Sequence, residues 1–463
     1  MKSAALPKVL HGFAGRSLLG HVLAAAAGVA ATTTLVVVGH RREQVTAHLA
    51  AIAPDAIAVV QDEQRGTGHA VRLALAAVPE EATGTVLVLP GDAPLLSPDV
   101  IANLAAAHQA AGAAATLVTS ELTDPSGYGR VIRAADGSVV RVVEHADATE
   151  AERAVREIAS GVYAFDHALL REAVGQLSSD NAQAQQYLPD VVGMFVGSGR
   201  RVAALTVPAS ETAGVNDRVQ LAVAHRIYND RLVAGHMRAG VTVIDPASTW
   251  LDATVMLEPD VTLLPSTELR GTTRVAADAT VGPQVNLTDT SVGARACIDR
   301  TVAVGCEIGA DATVGPFAYL RPGTRLAAGV HIGTYVELKN SDVGAGTKVP
   351  HLSYVGDATI GEHTNIGAAT VFVNYDGLAK HRSVIGDHAR TGADNMFVAP
   401  VQVGDGAYTA AGAVITEDVP AGALGRSSAR QENVAGWVVS KRPDSDAAKA
   451  AGRANADPDE DTA

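Results

Sequence analysis

Aromatic residues make up only 4% of this 463-residue chain, and there are just two cysteines, Cys297 and Cys306. Two thiols make neither a disulfide framework nor a metal-binding spacing, and they read as small core residues of a reducing compartment. Positive charge is outnumbered: 36 Lys and Arg face 50 Asp and Glu, for a net charge of −14. That balance argues against broad nucleic-acid binding and against attraction to anionic membranes, while leaving room for a local basic pocket. Long apolar runs are missing except over residues 18–39, which carry no charge unless His21 is protonated and follow Lys2, Lys8 and Arg16. That stretch resembles a signal or anchor segment. Gly20, Gly28 and the Thr32-Thr33-Thr34 run break it up, and an Ala-rich helix followed by a buried strand explains it as well.

What is present in quantity is a six-residue rhythm. Leu251, Leu257, Leu263, Leu269, Val275, Val281 and Leu287 are all aliphatic, and small or β-branched residues follow each by four. The register slips by one and resumes at Val292, Ile298 and Val304, then slips again and resumes at Ile308, Val314, Leu320, Leu326, Ile332 and Leu338. A period of six fits neither a helix nor a plain amphipathic strand. It fits a coil in which each hexad forms one flat side of a triangle and the aliphatic residues stack inward. Glycine often comes next, as in Ile332-Gly333 and Ile366-Gly367, where tight corners would strain other residues.

Residues 1–217 alternate short apolar runs (35–38, 57–60, 86–89, 115–118) with Ala-rich helical stretches around 18–30, 68–78 and 98–111. This is an α/β pattern with a mostly parallel sheet. The loop from Gln61 through Gly66-Thr67-Gly68 leaves a strand and opens a helix, where backbone amides could hold an anion or a base edge. Asp92 ends a strand, and a carboxylate placed there suits Mg²⁺ beside a phosphate or, more plainly, a turn. A helix with a Val219–Val223–Ile227 stripe joins the two halves. The Ala-, Asp- and Pro-rich residues 438–463 show no periodicity and are expected to be disordered.

The coil is interrupted between Ile366-Gly367 and Ile385-Gly386, and insertions in such repeats emerge as loops that carry sites. Arg321, Lys339, His351 and Tyr354 stand just before it among bland hexads. Cations beside a His and a Tyr suit an anionic, phosphorylated substrate and a general base.

These residues carry a resemblance covering roughly 3–437. Leu6-Pro7-Lys8-Val9-Leu10-His11, Gly66-Thr67-Gly68-His69-Ala70, Gly127-Tyr128-Gly129-Arg130, Val143-Glu144-His145, Gly214-Val215-Asn216 and Asn374-Tyr375-Asp376-Gly377 occur in that order. The chain resembles the bacterial bifunctional N-acetylglucosamine-1-phosphate uridyltransferase / glucosamine-1-phosphate N-acetyltransferase family. The resemblance implies a Rossmann-like nucleotidyltransferase domain (1–217), a linker helix (218–240), a left-handed parallel β-helix of hexapeptide repeats (241–437) and the tail (438–463).

It further implies a cytoplasmic homotrimer that supplies UDP-N-acetylglucosamine for cell-wall synthesis, binding neither membrane nor nucleic acid. Acetyl-CoA would acetylate glucosamine 1-phosphate, and UTP would then uridylylate the product with Mg²⁺ as cofactor. By resemblance Lys8 contacts phosphate, Gln61, Gly66 and Thr67 hold uracil, Gly129 and Glu144 hold the sugar, and Asp92 and Asn216 hold the metal. Arg321 and Lys339 grip the sugar phosphate in the coil, His351 is the general base, and Tyr354, Asn365 and Lys380 line the sugar site. Asn374 and Tyr375 meet acetyl-CoA, whose arm runs along Ala368, Ala393, Ala411 and Ser428.

There are departures. The family's first strand and Gly-rich loop would precede Lys8, and Met1 stands where that loop's last Met would be. Ala159 replaces a sugar-binding Asn, Gln185 a Glu and Pro189 a Thr, while Ala393 replaces a Ser and Ser428 an Arg. An acetyltransferase with a degenerate nucleotidyltransferase half, or a non-catalytic trimeric scaffold, are the alternative expectations.

Overall fold

A computed structural model describes residues 1, 3, 6–427 and 431–456. The chain divides into two compact units, Met1–Pro322 and Gly323–Ala463.

In the first unit the long strand Glu157–Asp166 organises a mixed sheet. It runs antiparallel to Thr85–Val88, Ala115–Glu121 and Gly129–Arg133. Ala115–Glu121 pairs parallel with Val202–Thr206, and Gly129–Arg133 pairs antiparallel with Val139–Val143. The expected mostly parallel sheet is thus corrected. The segment around Gly137, at φ 84°, turns the chain into a hairpin, and the strand after it returns in the opposite sense. Leu35–Val38 and Ile57–Val60 pair parallel in a separate two-stranded sheet.

Helix Pro98–Ala111 covers one face of the mixed sheet, burying Val100, Ile101 and Leu104 against Val118, Val162 and Ala164. Its ends follow their chemistry: the Ser97 hydroxyl accepts from Val100 N, Pro98 begins the first turn, and Gly112 closes the helix at φ 53°. A second cluster includes Leu170 and Val174 of helix His167–Val174 and Val191 and Phe195 of helix Asp190–Gly197, with Leu117 and Phe165. The apolar stretch near the start becomes helix Leu18–Ala26 and strand Leu35–Val38. Among the described residues no helix is long and apolar enough to cross a membrane.

Helix Arg218–Arg238 starts at Asp217, whose side chain accepts from Gln220 N at 2.7 Å. The stripe expected through Val219 and Val223 is exposed. Its third member, Ile227, does pack, with Leu221, Ala224 and Tyr228, against Phe13, Leu18 and Leu95.

Beyond this helix the hexads wind as a parallel β-helix. Leu251, Leu269 and Leu287 face one another in register eighteen residues apart, three hexads per turn. The next partner of Leu287 is Ala303, fully buried, and not Val304. The rhythm therefore drops a single residue three times, between Leu287 and Val292, between Ile298 and Ala303 and between Ala303 and Ile308, where the apolar pattern suggested two slips. In the second unit Leu326, Val343, Ile360, Ile385 and Val403 form a stack of the same kind. The step from Ile360 to Ile385 is longer because the segment after Val371–Val373 loops out. Phe372 stacks on Phe397 at 5.1 Å inside this unit.

Coils approach closely. A Cβ on Gly333 would lie 1.9 Å from the Pro350 carbonyl oxygen, so only glycine fits. The tail, expected to lack regular structure, forms helices Trp437–Lys441 and Asp446–Ala456 among its described residues. The Ala-rich stretch has high helix propensity, and Asp446 at its start with Arg453 near its end complement the helix dipole.

Candidate functional site

Three residues far apart in sequence meet at one point of the first unit. Lys8 lies in a turn, Asp92 follows strand Thr85–Val88, and Asn216 precedes helix Arg218–Arg238. The Lys8 ammonium pairs with the Asp92 carboxylate and donates to Asn216 Oδ1 at 2.6 Å. The Asp92 carbonyl accepts from Val215 N at 3.0 Å, which holds the two loops together. A carboxylate and a carboxamide oxygen thus converge on one cation.

The Gly-Thr-Gly loop is held from above by the segment 185–188. Gly68 N donates to Gln186 O at 2.8 Å, Gln186 N to Arg65 O at 2.8 Å, and Leu188 N to Thr67 Oγ1 at 3.1 Å. Gly66 has φ 103°, and a Cβ there would lie 2.6 Å from Gln186 O. Its glycine is required by backbone geometry and by this cover. Gln61 Nε2 reaches Gly66 O at 3.1 Å and His69 Nδ1 at 3.1 Å, so the proposed uracil contacts cluster.

Gly129 and Glu144 also meet: a Cβ on Gly129 would stand 3.5 Å from Glu144 Oε1. Ala159 lies opposite Gly129 in the sheet register. Burial raises the Glu144 pKa above the ordinary carboxylate value, and the charges of Asp190 and Asp147 add to it. Asp190 is raised too, by burial and then by Asp147. A raised carboxylate binds more protons folded than unfolded, so its contribution to stability is present at low pH and lost as pH rises through the folded value. Glu144→Gln is therefore expected to raise the melting temperature at pH 8, with the gain fading as the buffer is taken below the ordinary carboxylate range. A melting series showing destabilisation at pH 8 would contradict this.

In the second unit a buried carboxylate, Asp357, gathers Lys339, expected at the sugar phosphate, together with Asn340 and Asn374. It accepts from Lys339 Nζ at 3.1 Å, from Asn340 Nδ2 at 2.7 Å and from Asn374 Nδ2. Asn374 Nδ2 is also 3.5 Å from the Tyr354 hydroxyl, and Lys380 hydrogen-bonds beside Lys339. Hydrogen bonding with Lys380, and after it with Asp357, holds the Lys339 pKa above the usual lysine value. Burial works against the Asp357 carboxylate, but hydrogen bonds from Asn340, Lys339 and Asn374 outweigh it and keep its pKa low. Gly356 leaves room for this arrangement, since a Cβ would come within 2.5 Å of the Tyr354 hydroxyl. Asp357 carries no distinctive signal in the sequence. An acid after glycine at a coil corner looks like a turn former, and only its three donors distinguish it.

The loop beyond Asn374 is braced by Asp376, whose carboxylate accepts from Leu378 N, Ala379 N and His381 Nε2 at 2.7–2.8 Å. Those donors, Ala379 N foremost, pull its pKa well below the ordinary range. Tyr375 donates to Gly377 O at 2.7 Å, and Leu378 at the tip is 96% exposed.

His351 ends strand Lys348–His351 at another corner. Its carbonyl accepts from Ala369 N, that of Ala368 from Asp394 N, and that of Ala393 from Gly412 N. His351, Ala368, Ala393 and Ala411, each one residue before its corner, therefore form a single ladder. The proposed base heads a column of three small residues proposed for the coenzyme arm. Asn365 lies on the same flat, bridged to Lys348 and Arg390. Arg321 belongs to the first unit, where its carbonyl accepts from Cys306 Sγ at 3.3 Å. Ser428, and with it the neighbouring Arg430, lies outside the described residues.

The first 182 residues match the model of the MobA-like NTP transferase domain. The chain is 58% identical over 461 residues to the bifunctional protein GlmU of Streptomyces avermitilis, covering 99% of this chain and 95% of that protein. It belongs to the bifunctional GlmU family. The family's proteins from Streptomyces coelicolor and Thermobifida fusca are likewise 58% identical, over 97% and 98% of this chain and 94% and 95% of theirs. The nucleotidyltransferase match covers Lys8 and Asp92, and the GlmU relatives span the coil as well. GlmU membership makes a divalent metal part of the chemistry. The Asp92 and Asn216 oxygens suit a hard cation. No group of three or more His, Cys, Asp or Glu side chains able to hold a metal occurs among the described residues, so its other oxygens would come from water and substrate phosphate.

Proposed function

We propose that the two clusters are the two active sites of UDP-N-acetylglucosamine synthesis. The chain is a GlmU enzyme acting by acetyl transfer and by uridylyl transfer. The observation that supports the assignment of the acetyl-transfer site is the ladder in which His351 stands at the end of a column of small residues, Ala368, Ala393 and Ala411.

Lys339 supplies positive charge for the phosphate of glucosamine 1-phosphate, Arg321 is assigned to the same phosphate by the family resemblance, and Lys380 is assigned to the sugar. His351 takes the proton that the amine sheds as its nitrogen attacks the acetyl thioester. The carbon–sulfur bond breaks, and the departing coenzyme A thiolate takes up a proton. Ala368, Ala393 and Ala411 leave room along the corner for the coenzyme arm, with Ser428 beyond them, while Asn374 and Tyr375 flank its reactive end. Asn365 and Tyr354 line the sugar.

In the nucleotidyltransferase half, Gln61, Gly66 and Thr67 hold uracil, Gly129 and Glu144 hold N-acetylglucosamine 1-phosphate, and Lys8 neutralises phosphate charge. Asp92 and Asn216 hold Mg²⁺, which when bound supplies further charge neutralisation. The sugar phosphate oxygen attacks the α-phosphorus of UTP, and pyrophosphate leaves.

The chain works as a cytoplasmic homotrimer. Light scattering is expected to give three times the 47.3 kDa chain mass. Thiol release from acetyl-CoA with glucosamine 1-phosphate, and pyrophosphate release from UTP with N-acetylglucosamine 1-phosphate, are both expected from one preparation. Absence of either would remove that half of the assignment.

A further inference from the structure

Asp357 has no role in the assignments above, yet it is the most heavily used acceptor in the acetyl-transfer cluster. It is 7% exposed and takes hydrogen bonds from Lys339, Asn340 and Asn374. A carboxylate can only accept. The Asn374 side chain must therefore turn its NH₂ toward Asp357, which leaves Oδ1 facing the other way. Asn374 is itself 8% exposed, with Tyr354 on the same NH₂ group, so its carboxamide has little freedom to reverse.

We propose that Asp357 is a positioning residue for acetyl transfer: it fixes Asn374 Oδ1 as an acceptor for a substrate N–H and aims the Lys339 ammonium at the phosphate. The N–H class is supplied by the attacking amine or by the amides of the coenzyme arm. The inference rests on reading this cluster as the acetyl-transfer site.

Asp357 sits at a coil corner with φ 50°, and asparagine adopts that backbone as readily as aspartate. Asp357→Asn therefore leaves the corner unstrained while replacing an acceptor-only group by one that can also donate. The Asn374 carboxamide then loses its enforced orientation, and Lys339 loses its counterion. kcat/KM for glucosamine 1-phosphate is expected to fall about 10- to 100-fold, the range for a hydrogen bond to a charged group, with melting of the coil unit little changed. In an Asn374→Ala background the same substitution is expected to cost clearly less, because part of its effect passes through Asn374.

Activity of Asp357→Asn close to that of the parent would overturn the proposal. So would an equal loss in both backgrounds. If His351→Ala retained full acetyl transfer, the reading of the site itself would fail. If His351→Ala lost activity while Asp357→Asn did not, only the role of Asp357 would fall.

Discussion

Replacing His351 by alanine is expected to lower kcat for acetyl transfer by about 10²- to 10⁴-fold, the usual contribution of a positioned general base. The amine of glucosamine 1-phosphate must lose a proton as it attacks the thioester, and an imidazole can take it near neutral pH. The backbone explains why the loss should be confined to chemistry. His351 is exposed at the end of its strand, and its place in the ladder is held by its carbonyl and by its neighbours' amides, none of which the substitution removes. Steady-state kinetics and melting of the same preparation check this. A variant with kcat close to the parent's and a lowered melting temperature would make His351 a structural corner residue.

Asp92→Ala is expected to lower uridylyl transfer by about 10²- to 10³-fold, comparable to removing one preorganised charge-stabilising group from a site. Two effects combine. The carboxylate proposed to hold the metal is lost, and Lys8 loses the partner that anchors its ammonium between Asp92 and Asn216. Acetyl transfer on the same sample serves as the control, because Asp92 has no part in the cluster around Asp357. Raising Mg²⁺ should recover little of the lost rate, since Asn216 alone offers one neutral oxygen. Full recovery at high Mg²⁺ would place the metal on other groups.

Much of the coil was legible in the hexads because an inward residue every six positions has no other physical reading. The register was less legible. Apolar spacing could not tell Val304 from Ala303, since both are small enough to face inward, and only the pairing with Leu287 decided it. The strands and helices of the first half were read from short apolar runs and Ala-rich stretches, but strand direction was not. Whether Glu157–Asp166 runs with or against its neighbours depends on the hairpin before it, and hydrophobicity is the same either way. The exposed Val219 and Val223 show the same limit on helix Arg218–Arg238. A stripe can be counted in sequence, but which face meets Phe13 and Leu95 is settled by those partners.

The sequence by itself determined the two-part architecture, because period-six aliphatics and alternating apolar and Ala-rich segments are local properties. It also offered Lys339, His351 and Asn374 as candidates, because charged and polar side chains are conspicuous among bland hexads, and Asp92 from its place after a strand; Lys8 and Asn216 entered only through the family resemblance. The tertiary structure alone decided which of them meet. Residues 8, 92 and 216 converge because two loops are tied by the Val215–Asp92 bond. His351 joins Ala368, Ala393 and Ala411 because parallel coils stack corner on corner. Asp357 emerged only there, since its significance lies in three donors, two from a neighbouring coil and one from a loop, and no sequence pattern records the direction in which a hydrogen bond points.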